Sequence, residues 1–506
     1  MKKIFITTPI FYVNDSPHIG HAYTTIICDA LAKFYRLDDY EVLFTTGTDE
    51  HGLKVEKAAK KDNTDPKVFV DKVSENFINL SKRLKISNTD FVRTTEKRHQ
   101  NAAKNFWKLL NDKNQIYLSK YEGWYSVRDE AFYQEKELNK KGERFYTNDG
   151  EEVQWIEEES FFFKLSEWGE KLLKYFEENP DFILPVSRKN EVISFVKSGL
   201  KDLSISRTSF NWGIKIDGSE NHIMYVWIDA LVNYLTSIDF PKTSKDQFLF
   251  WKNCYHIIGK DILKFHAVYW PAMLMAAEIP LPKKIFAHGW WTNEGKKISK
   301  SVGNVIDPHA MIDKFGLDQL RHFLLREVTL GQDGDFSEHS FKTRINADLS
   351  NNLGNLIQRT LKFVGKNFEN KMPFDLQEPK NKDLLSEVYN LFPKVKISME
   401  KFKINKSIEE IFIIITKLNQ FMDKAEPWNS FKTNPQKTAN DLSVLIESFR
   451  IIGILLQPFI PDASNEILNI LNIEKKYRKF KFLNFMYKIN KDHCIKETKP
   501  LFPKYD

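Results

Sequence analysis

Thr8-Pro9-Ile10-Phe11-Tyr12-Val13-Asn14-Asp15-Ser16-Pro17-His18-Ile19-Gly20-His21 joins two different hydrophobic periods, and that change of period decides the fold. Before it, Lys3 to Thr8 is short, apolar and β-branched, as a buried strand is. After it, Ile19, Tyr23, Ile26, Ile27, Ala30, Leu31 and Phe34 recur on one helical face. A buried strand that turns into a helix belongs to an α/β sheet, and the helix start, with its unpaired N–H groups and positive dipole end, favours an anion such as phosphate. Asp15 or Ser16 is the expected cap and Pro17 the expected first helical residue, which sets His18 and His21 side by side on the first turn. Gly20 between them removes the side chain that would hold a phosphate-bearing ligand away. Two surface histidines at a helix start fit the same local pattern, so a second element has to decide.

That element is Gly295-Lys296-Lys297-Ile298-Ser299-Lys300-Ser301-Val302-Gly303, a lysine-serine loop bracketed by glycines that brings point charges to a transferring phosphate. Taken with His18 to His21, Lys297 to Ser301 resembles the paired His-x-Gly-His and Lys-Met-Ser-Lys-Ser signatures of class I aminoacyl-tRNA synthetases, with Ile298 in the methionine position.

The bulk numbers agree with a multidomain enzyme. At 506 residues the chain has room for about two to four domains. Hydrophobic content of 42% with 28% charged residues is that of a soluble globular protein, and no apolar run is long enough to span a membrane. The first strand begins by Ile4, leaving no room for a signal peptide. Cys28, Cys254 and Cys494 are scattered and odd in number, so a reducing cytoplasm is expected. Residues 346–506 hold 26 Lys and Arg against 19 Asp and Glu, while the other 345 residues carry 49 of each, so the whole net charge of +7 lies in the last third. A polyanion docking there explains this, and so does lysine on a solvated face.

Along the chain, Glu41 to Thr46 reads as a second buried strand delivering Gly47-Thr48-Asp49-Glu50-His51-Gly52 at its carboxyl end, the edge where open α/β sheets bind ligands. Asp49 is placed there to receive an ammonium group or to cap the next helix. From 116 to 221 the texture turns to short strands, turns and charge runs, an inserted domain. Tyr225 to Ala230, Cys254 to Ile258 and Ile285 to Trp290 read as the strands of the second half of the sheet. On periodicity alone Trp227, Tyr234, His266 and Trp270 read as core. Beyond Ser337 apolar-periodic segments near 345–368, 382–402, 406–425, 438–457 and 462–473 predict a helical bundle, with breaks at Pro373, Pro379, Pro427 and Pro435. Asn355 and Arg359 share a face of its first helix, and Trp428 stands at a helix end as a staple or as a platform for an unpaired base.

Together with Thr8 to Asn14, the stretches Gly47 to Gly52, Val226-Trp227-Ile228-Asp229-Ala230, Tyr255 to Ile262 and His288-Gly289-Trp290 resemble the methionyl-tRNA synthetase family over almost the whole chain. The resemblance implies a Rossmann-like α/β catalytic domain with a parallel sheet, in two halves (1–115 and 222–291). An inserted connective domain (116–221) splits it, and a stem-contact region with the lysine loop (292–345) and an all-α anticodon-binding domain (346–506) follow. It implies that Ile10, Tyr12, Trp227, Ala230, Leu231, Tyr234, Ile262, His266 and Trp270 line a methionine pocket, with Asp49 on the amino group. His18, Gly20, His21, Gly259, Asp261, Lys297, Ser299 and Lys300 would contact ATP, Arg207 would orient groups at the site, and Asn355, Arg359 and Trp428 would read the anticodon. The implied substrates are methionine, ATP with Mg2+, and initiator and elongator tRNA(Met). In one respect the sequence departs from many relatives: between 116 and 221 there is no cysteine, so no structural zinc is expected and the insertion is expected to be held around Trp124, Tyr125, Phe132 and Tyr133. The chain ends soon after the bundle, and a monomer is expected.

Three other readings share some of these features. A synthetase for valine, isoleucine or leucine carries both signatures, but the insertion is too short for the usual hydrolytic editing domain. A small-molecule nucleotidyltransferase has no use for a basic helical bundle. A non-catalytic RNA-binding descendant would not need His18, His21, Asp49, Lys297 and Lys300 intact.

Overall fold

The computed structural model describes residues 2–127, 131–133, 135–298, 303–378 and 383–506, with backbone alone for 121, 131, 132, 158 and 297. It divides into two units: Lys3–Pro17 with Leu43–His288, and Met1–Lys2 with His18–Val42 and Gly289–Asp506.

The first unit is built on a seven-stranded sheet in the order Ile183–Leu184, Lys284–His288, Cys254–Gly259, Lys3–Thr7, Glu41–Asp49 and Phe11–Tyr12, with Asp90–Arg93 also paired to Glu41–Asp49. Thr7 stands beside His256, Ile257 beside Phe286 and Thr48 beside Arg93, all in parallel. These strands therefore end at one edge, on Thr7, Asp49, Gly259 and His288. Phe5, Phe106, Trp251, Trp270 and Ile285 share one buried core. Gly47 is required by a close approach, since a Cβ there would lie on the carbonyl oxygen of Val92 in the neighbouring strand.

Val226–Leu231 is a helix, not the strand its apolar run suggested. All six of its residues are buried, so it lacks the polar face by which a helix announces its period. The 116–221 range contributes an antiparallel sheet whose spine is the pair Ile116–Ser126 and Glu152–Phe163. Trp124 packs on Phe145 at 4.3 Å and edge-on to Trp155 at 5.2 Å, and Tyr125 is buried. Lys264 Nζ lies 5.3 Å from the Tyr133 ring centroid, and the side chain of Phe132 is outside what the structure describes. Ile183–Leu184, within the same range, adds an edge strand to the parallel sheet.

In the second unit the helix Ile19–Leu37 is bound to Leu317–Arg326 by a buried ion pair, Arg321 Nη1 to Asp29 Oδ2 at 2.7 Å. Arg321 also donates to the carbonyls of Pro458 and Phe459. Leaving either charge alone in that interior would be strongly destabilising. Lys33 completes the cluster, and burial together with Arg321 pulls its ammonium down to about 8. A three-stranded sheet joins Lys296–Lys297, Trp291–Asn293 and Gly334–Phe336. Beyond it the chain is helical: Glu338–Ile345, a wider π-type stretch over Asn346–Gly354, Asn355–Phe368, Leu384–Tyr389, Leu391–Glu400, Ile404–Ala425, Pro427–Thr433, Pro435–Leu456 and Pro461–Ile470. Pro427 and Pro435 do break the pattern, but each also opens a helix, where its missing N–H is harmless.

Candidate active site

Side chains that carry chemistry gather at the carboxyl edge of the parallel sheet. Tyr234 Oη donates to His266 Nε2 at 2.7 Å while His266 Nδ1 donates to the carbonyl of Ile262 at 3.0 Å. The carbonyl can only accept, which fixes the proton on Nδ1 and makes Nε2 the acceptor. Burial pulls the imidazole down to about 4, so the ring is neutral at physiological pH. Trp227 lies 6.4 Å from His266, edge-on to Tyr12 at 6.4 Å, and stacked on Phe265 at 3.7 Å. Tyr234 also meets Trp270 at 6.3 Å and His256 at 4.0 Å. Burial, then the neighbouring His266, pushes the His256 imidazole well below its ordinary range. Ala230 and Leu231 are buried on the Val226–Leu231 helix, and Ile10 packs over Gly47. The structure thus brings Tyr12, Trp227, Tyr234, Ile262, His266 and Trp270 into one apolar, aromatic, uncharged group. Asp49, buried, ends the neighbouring strand.

On the same edge Gly259 precedes Asp261, and a Cβ at Gly259 would strike the Asp261 carboxylate, so only glycine lets that group fold back over the strand end. Arg207 is buried with its guanidinium 4.4 Å from the Tyr225 ring and 5.5 Å from the Tyr125 ring. Its Nη1 donates to Ser204 Oγ and the Ser206 carbonyl.

In the second unit His18 itself caps the Ile19–Leu37 helix, which starts two residues beyond the expected Pro17. Its Nδ1 accepts from Gly20 N and His21 Nδ1 accepts from His18 N, each at 3.0 Å. This reciprocal capping box made of imidazoles replaces the Asp or Ser cap, because Nδ1 reaches the backbone as a short side-chain oxygen does. With both Nδ1 atoms accepting, each neutral ring carries its proton on Nε2 and keeps a donor. The rings stand 4.0 Å apart. A Cβ on Gly20 would come 2.9 Å from His18 Cε1. Residues on either side of the lysine segment meet this helix: Ile19 N donates to Ile306 O at 3.1 Å, and Tyr23 packs edge-on at 5.6 Å against Trp291. Trp291 opens the strand whose Thr292 and Asn293 pair with Lys297 and Lys296. Ser299, Lys300 and the side chain of Lys297 lie outside the described residues.

In the bundle, Arg359 lies over the Trp428 ring at 5.5 Å and donates to Asp423 at 2.9 Å. Asn355 is exposed one turn away on the same helix, and Trp428 is 44% exposed, unusual for so large an apolar ring.

Sequence reasoning missed Phe265, indistinguishable from core, and a buried cluster around Asp229. A carboxylate inside the apolar run Val226–Leu231 was the available signal, since burying one demands partners. Asp229 Oδ2 accepts from His51 Nδ1 and Oδ1 from His99 Nε2, both at 2.7 Å. Burial pushes the Asp229 carboxyl up, but the two imidazoles outweigh it and hold it down at about 2.

A parallel sheet with functional side chains at its carboxyl edge, an imidazole-capped helix and a trailing helical bundle define the architecture of a class I aminoacyl-tRNA synthetase. Residues 4–361 match the family described as tRNA synthetases class I (M), and 375–506 match the anticodon binding domain of methionyl tRNA ligase. The chain is 52% identical to a methionine–tRNA ligase of Rickettsia felis over 99% of its own length and 98% of the relative's. It is 46% identical to that of Rhizobium meliloti, over 100% and 98%. A solved Mycobacterium tuberculosis methionyl-tRNA synthetase in complex with methionyl-adenylate superposes with a TM-score of 0.96 at 42% identity, over 99% of this chain and 100% of that one. The chain belongs to the methionyl-tRNA synthetase family.

Proposed function

We infer that the chain is a methionine–tRNA ligase: it activates methionine with ATP to methionyl-adenylate and pyrophosphate, then transfers the methionyl group to the 3′ terminal adenosine of tRNA(Met). The observation that carries the amino-acid assignment is the neutral His266, hydrogen-bonded to Tyr234 among Trp227, Tyr12 and Trp270. An uncharged aromatic cavity suits a polarisable thioether, at about 0.3 to 1.5 kcal/mol per sulfur–ring contact. A charged imidazole there would favour an anion instead.

In this reading Ile10, Tyr12, Trp227, Ala230, Leu231, Tyr234, Ile262, His266 and Trp270 enclose the side chain, and Asp49 takes the ammonium group. The carboxylate attacks the α-phosphorus in line, pyrophosphate leaves, and no protein nucleophile is required. Catalysis is positioning and charge stabilisation. His18 and His21 donate from Nε2 to the phosphates at a helix start that already favours anions. Gly20 and Gly259 admit the nucleotide closely, Asp261 contacts it, and Lys297, Ser299 and Lys300 neutralise the departing pyrophosphate. Arg207 orients groups at the site. Mg2+ arrives as Mg-ATP, a substrate; among the described residues no group of three or more His, Cys, Asp or Glu is arranged to hold a metal ion.

Asn355, Arg359 and Trp428 read the anticodon, Trp428 by stacking. The catalytic domain comprises 1–115 and 222–291, the inserted connective domain 116–221, the stem-contact region 292–345 and the anticodon-binding domain 346–506. Initiator and elongator tRNA(Met) are both substrates, the protein acts in the cytoplasm as a monomer, and native mass measurement at low concentration checks the last point. No described helix is long and apolar enough to cross a membrane. The deciding experiment is amino-acid-dependent pyrophosphate exchange across all proteinogenic amino acids. Methionine must give the highest kcat/KM, and a preference for leucine, isoleucine or valine would overturn the reading.

A further inference from the structure

Two segments that form the amino-acid pocket in the reading above are tied together by one carboxylate that touches neither substrate in that reading. Asp229 lies on the Val226–Leu231 helix, between Trp227 and Ala230. His51, which bonds to its Oδ2, follows Asp49, the last residue of the strand Glu41–Asp49, by two residues. His99, which bonds to its Oδ1, belongs to the helix Lys97–Asp112, and its Nδ1 meets Thr236 Oγ1 at 3.0 Å. His51, His99, Asp229 and Thr236 are all buried. His51 is further fixed from outside: Trp212 packs edge-on to it at 5.5 Å and donates from Nε1 to the Glu50 carbonyl at 2.6 Å.

We propose that Asp229 is a positioning residue for methionine: by holding His51 with one oxygen and His99 with the other, it sets the distance between Asp49 and the helix bearing Trp227 and Ala230. The proposal rests on the assignment of those residues to the amino-acid pocket. The chemistry of the cluster makes the device directional. A carboxylate accepts from both imidazoles at once, so each ring has to present an N–H to Asp229, while the Nδ1 of His99 is held 3.0 Å from Thr236 Oγ1, whose hydroxyl donates to the Val232 carbonyl. Buried and doubly bonded, the carboxylate leaves neither ring free to rotate. A shift of the Trp227 helix relative to Asp49 by an ångström would misplace the methionine ammonium against its carboxylate, the kind of displacement that degrades a site about tenfold to a hundredfold. ATP is not contacted by either segment in this reading, so the effect has to fall on one substrate.

Asp229→Asn is nearly isosteric, but its amide offers one acceptor and one donor where two acceptors are needed. Steady-state pyrophosphate exchange with Asp229→Asn should raise the methionine KM about tenfold or more, with the ATP KM and kcat within about threefold of the parent. A purely structural lesion would lower kcat through the active fraction and leave both KM values alone, and that outcome, like an unchanged methionine KM, overturns the proposal. Should Asp229→Asn fail to fold, a pair at His99 decides. Gln presents its amide N–H about where Nε2 stood, so His99→Gln should keep the methionine KM near the parent value while His99→Ala raises it. Equal KM values in that pair overturn the proposal. Trp227→Ala is measured in parallel: if it leaves the methionine KM unchanged, the pocket assignment itself has failed, whereas a raised KM there with none in Asp229→Asn sinks only the role of Asp229.

Discussion

At His266 burial keeps the ring neutral, and its two hydrogen bonds place the one proton on Nδ1. The unfolded ring titrates near 6.5 and the native ring near 4, because burial penalises the imidazolium. As pH falls through that window the unfolded chain takes up a proton that the native ring refuses, so stability is withdrawn on acidification, by at most about 3 kcal/mol from this ring. Urea unfolding of the parent should therefore weaken more between about pH 7.5 and pH 5 than that of His266→Gln, which carries no such group. The methionine KM should stay flat over the same range, and an inflection near pH 6.5 that disappears in His266→Gln would show the ring charging in the working enzyme. His21 accepts from the backbone, and in the proposed reading it also serves the phosphates. Removing its Nδ1 in His21→Ala takes away a capping acceptor, about 1 kcal/mol, which a protein of this size tolerates. Removing its Nε2 donor removes charge stabilisation, so kcat for pyrophosphate exchange should fall about a hundredfold or more with only a small shift in melting temperature.

Elements depend on close approaches that no periodicity reveals. Gly47→Ala would drive a Cβ into the Val92 carbonyl and force Glu41–Asp49 and Asp90–Arg93 apart, so expression should yield little folded protein, as a soluble-fraction assay reads directly. Gly20→Ala meets only the edge of the His18 ring; it should fold and lose exchange activity by displacing that imidazole. The insertion is the other element with a test. Its residues 116–221 lack cysteine and its aromatics Trp124, Phe145 and Trp155 pack across the strands, so metal analysis of purified protein should find no stoichiometric zinc. Much of this level was legible beforehand. The strand Lys3–Thr7 follows from its short, apolar, β-branched run, and the helices Ile19–Leu37, Ile404–Ala425 and Pro435–Leu456 from the recurrence of their apolar residues over several turns. Val226–Leu231 was not legible as a helix because it has no wet face, and the start of the first helix was misplaced because an imidazole does the work expected of Asp15 or Ser16. The Asp229 cluster escaped because His51, His99 and Asp229 come from three distant segments, and only the fold brings their atoms together.

Over the whole molecule the charge is unevenly divided, and the proposed division of labour follows it. The excess of Lys and Arg sits in residues 346–506, where Trp428 and Arg359 stand exposed and half-buried on neighbouring helices, while the remaining 345 residues are balanced. Attraction between such a surface and an RNA backbone depends on counterion release, so the affinity for tRNA should fall steeply with salt, whereas methionine activation, which involves no polyanion, should not. In the proposed reading, stacking of one base on Trp428 is a separate contribution of about 1 to 3 kcal/mol that is largely insensitive to salt. Trp428→Ala should therefore weaken tRNA binding about tenfold or more at every salt concentration, leave the salt slope unchanged, and leave tRNA-independent pyrophosphate exchange at the parent rate. Lys300→Ala should do the reverse, depressing exchange with little effect on the tRNA dissociation constant. Filter binding and exchange measured on both variants across a salt series separate these quantities. Equal losses of both activities in either variant would mean that one surface serves both tasks, and the division of labour along the chain would have to be abandoned.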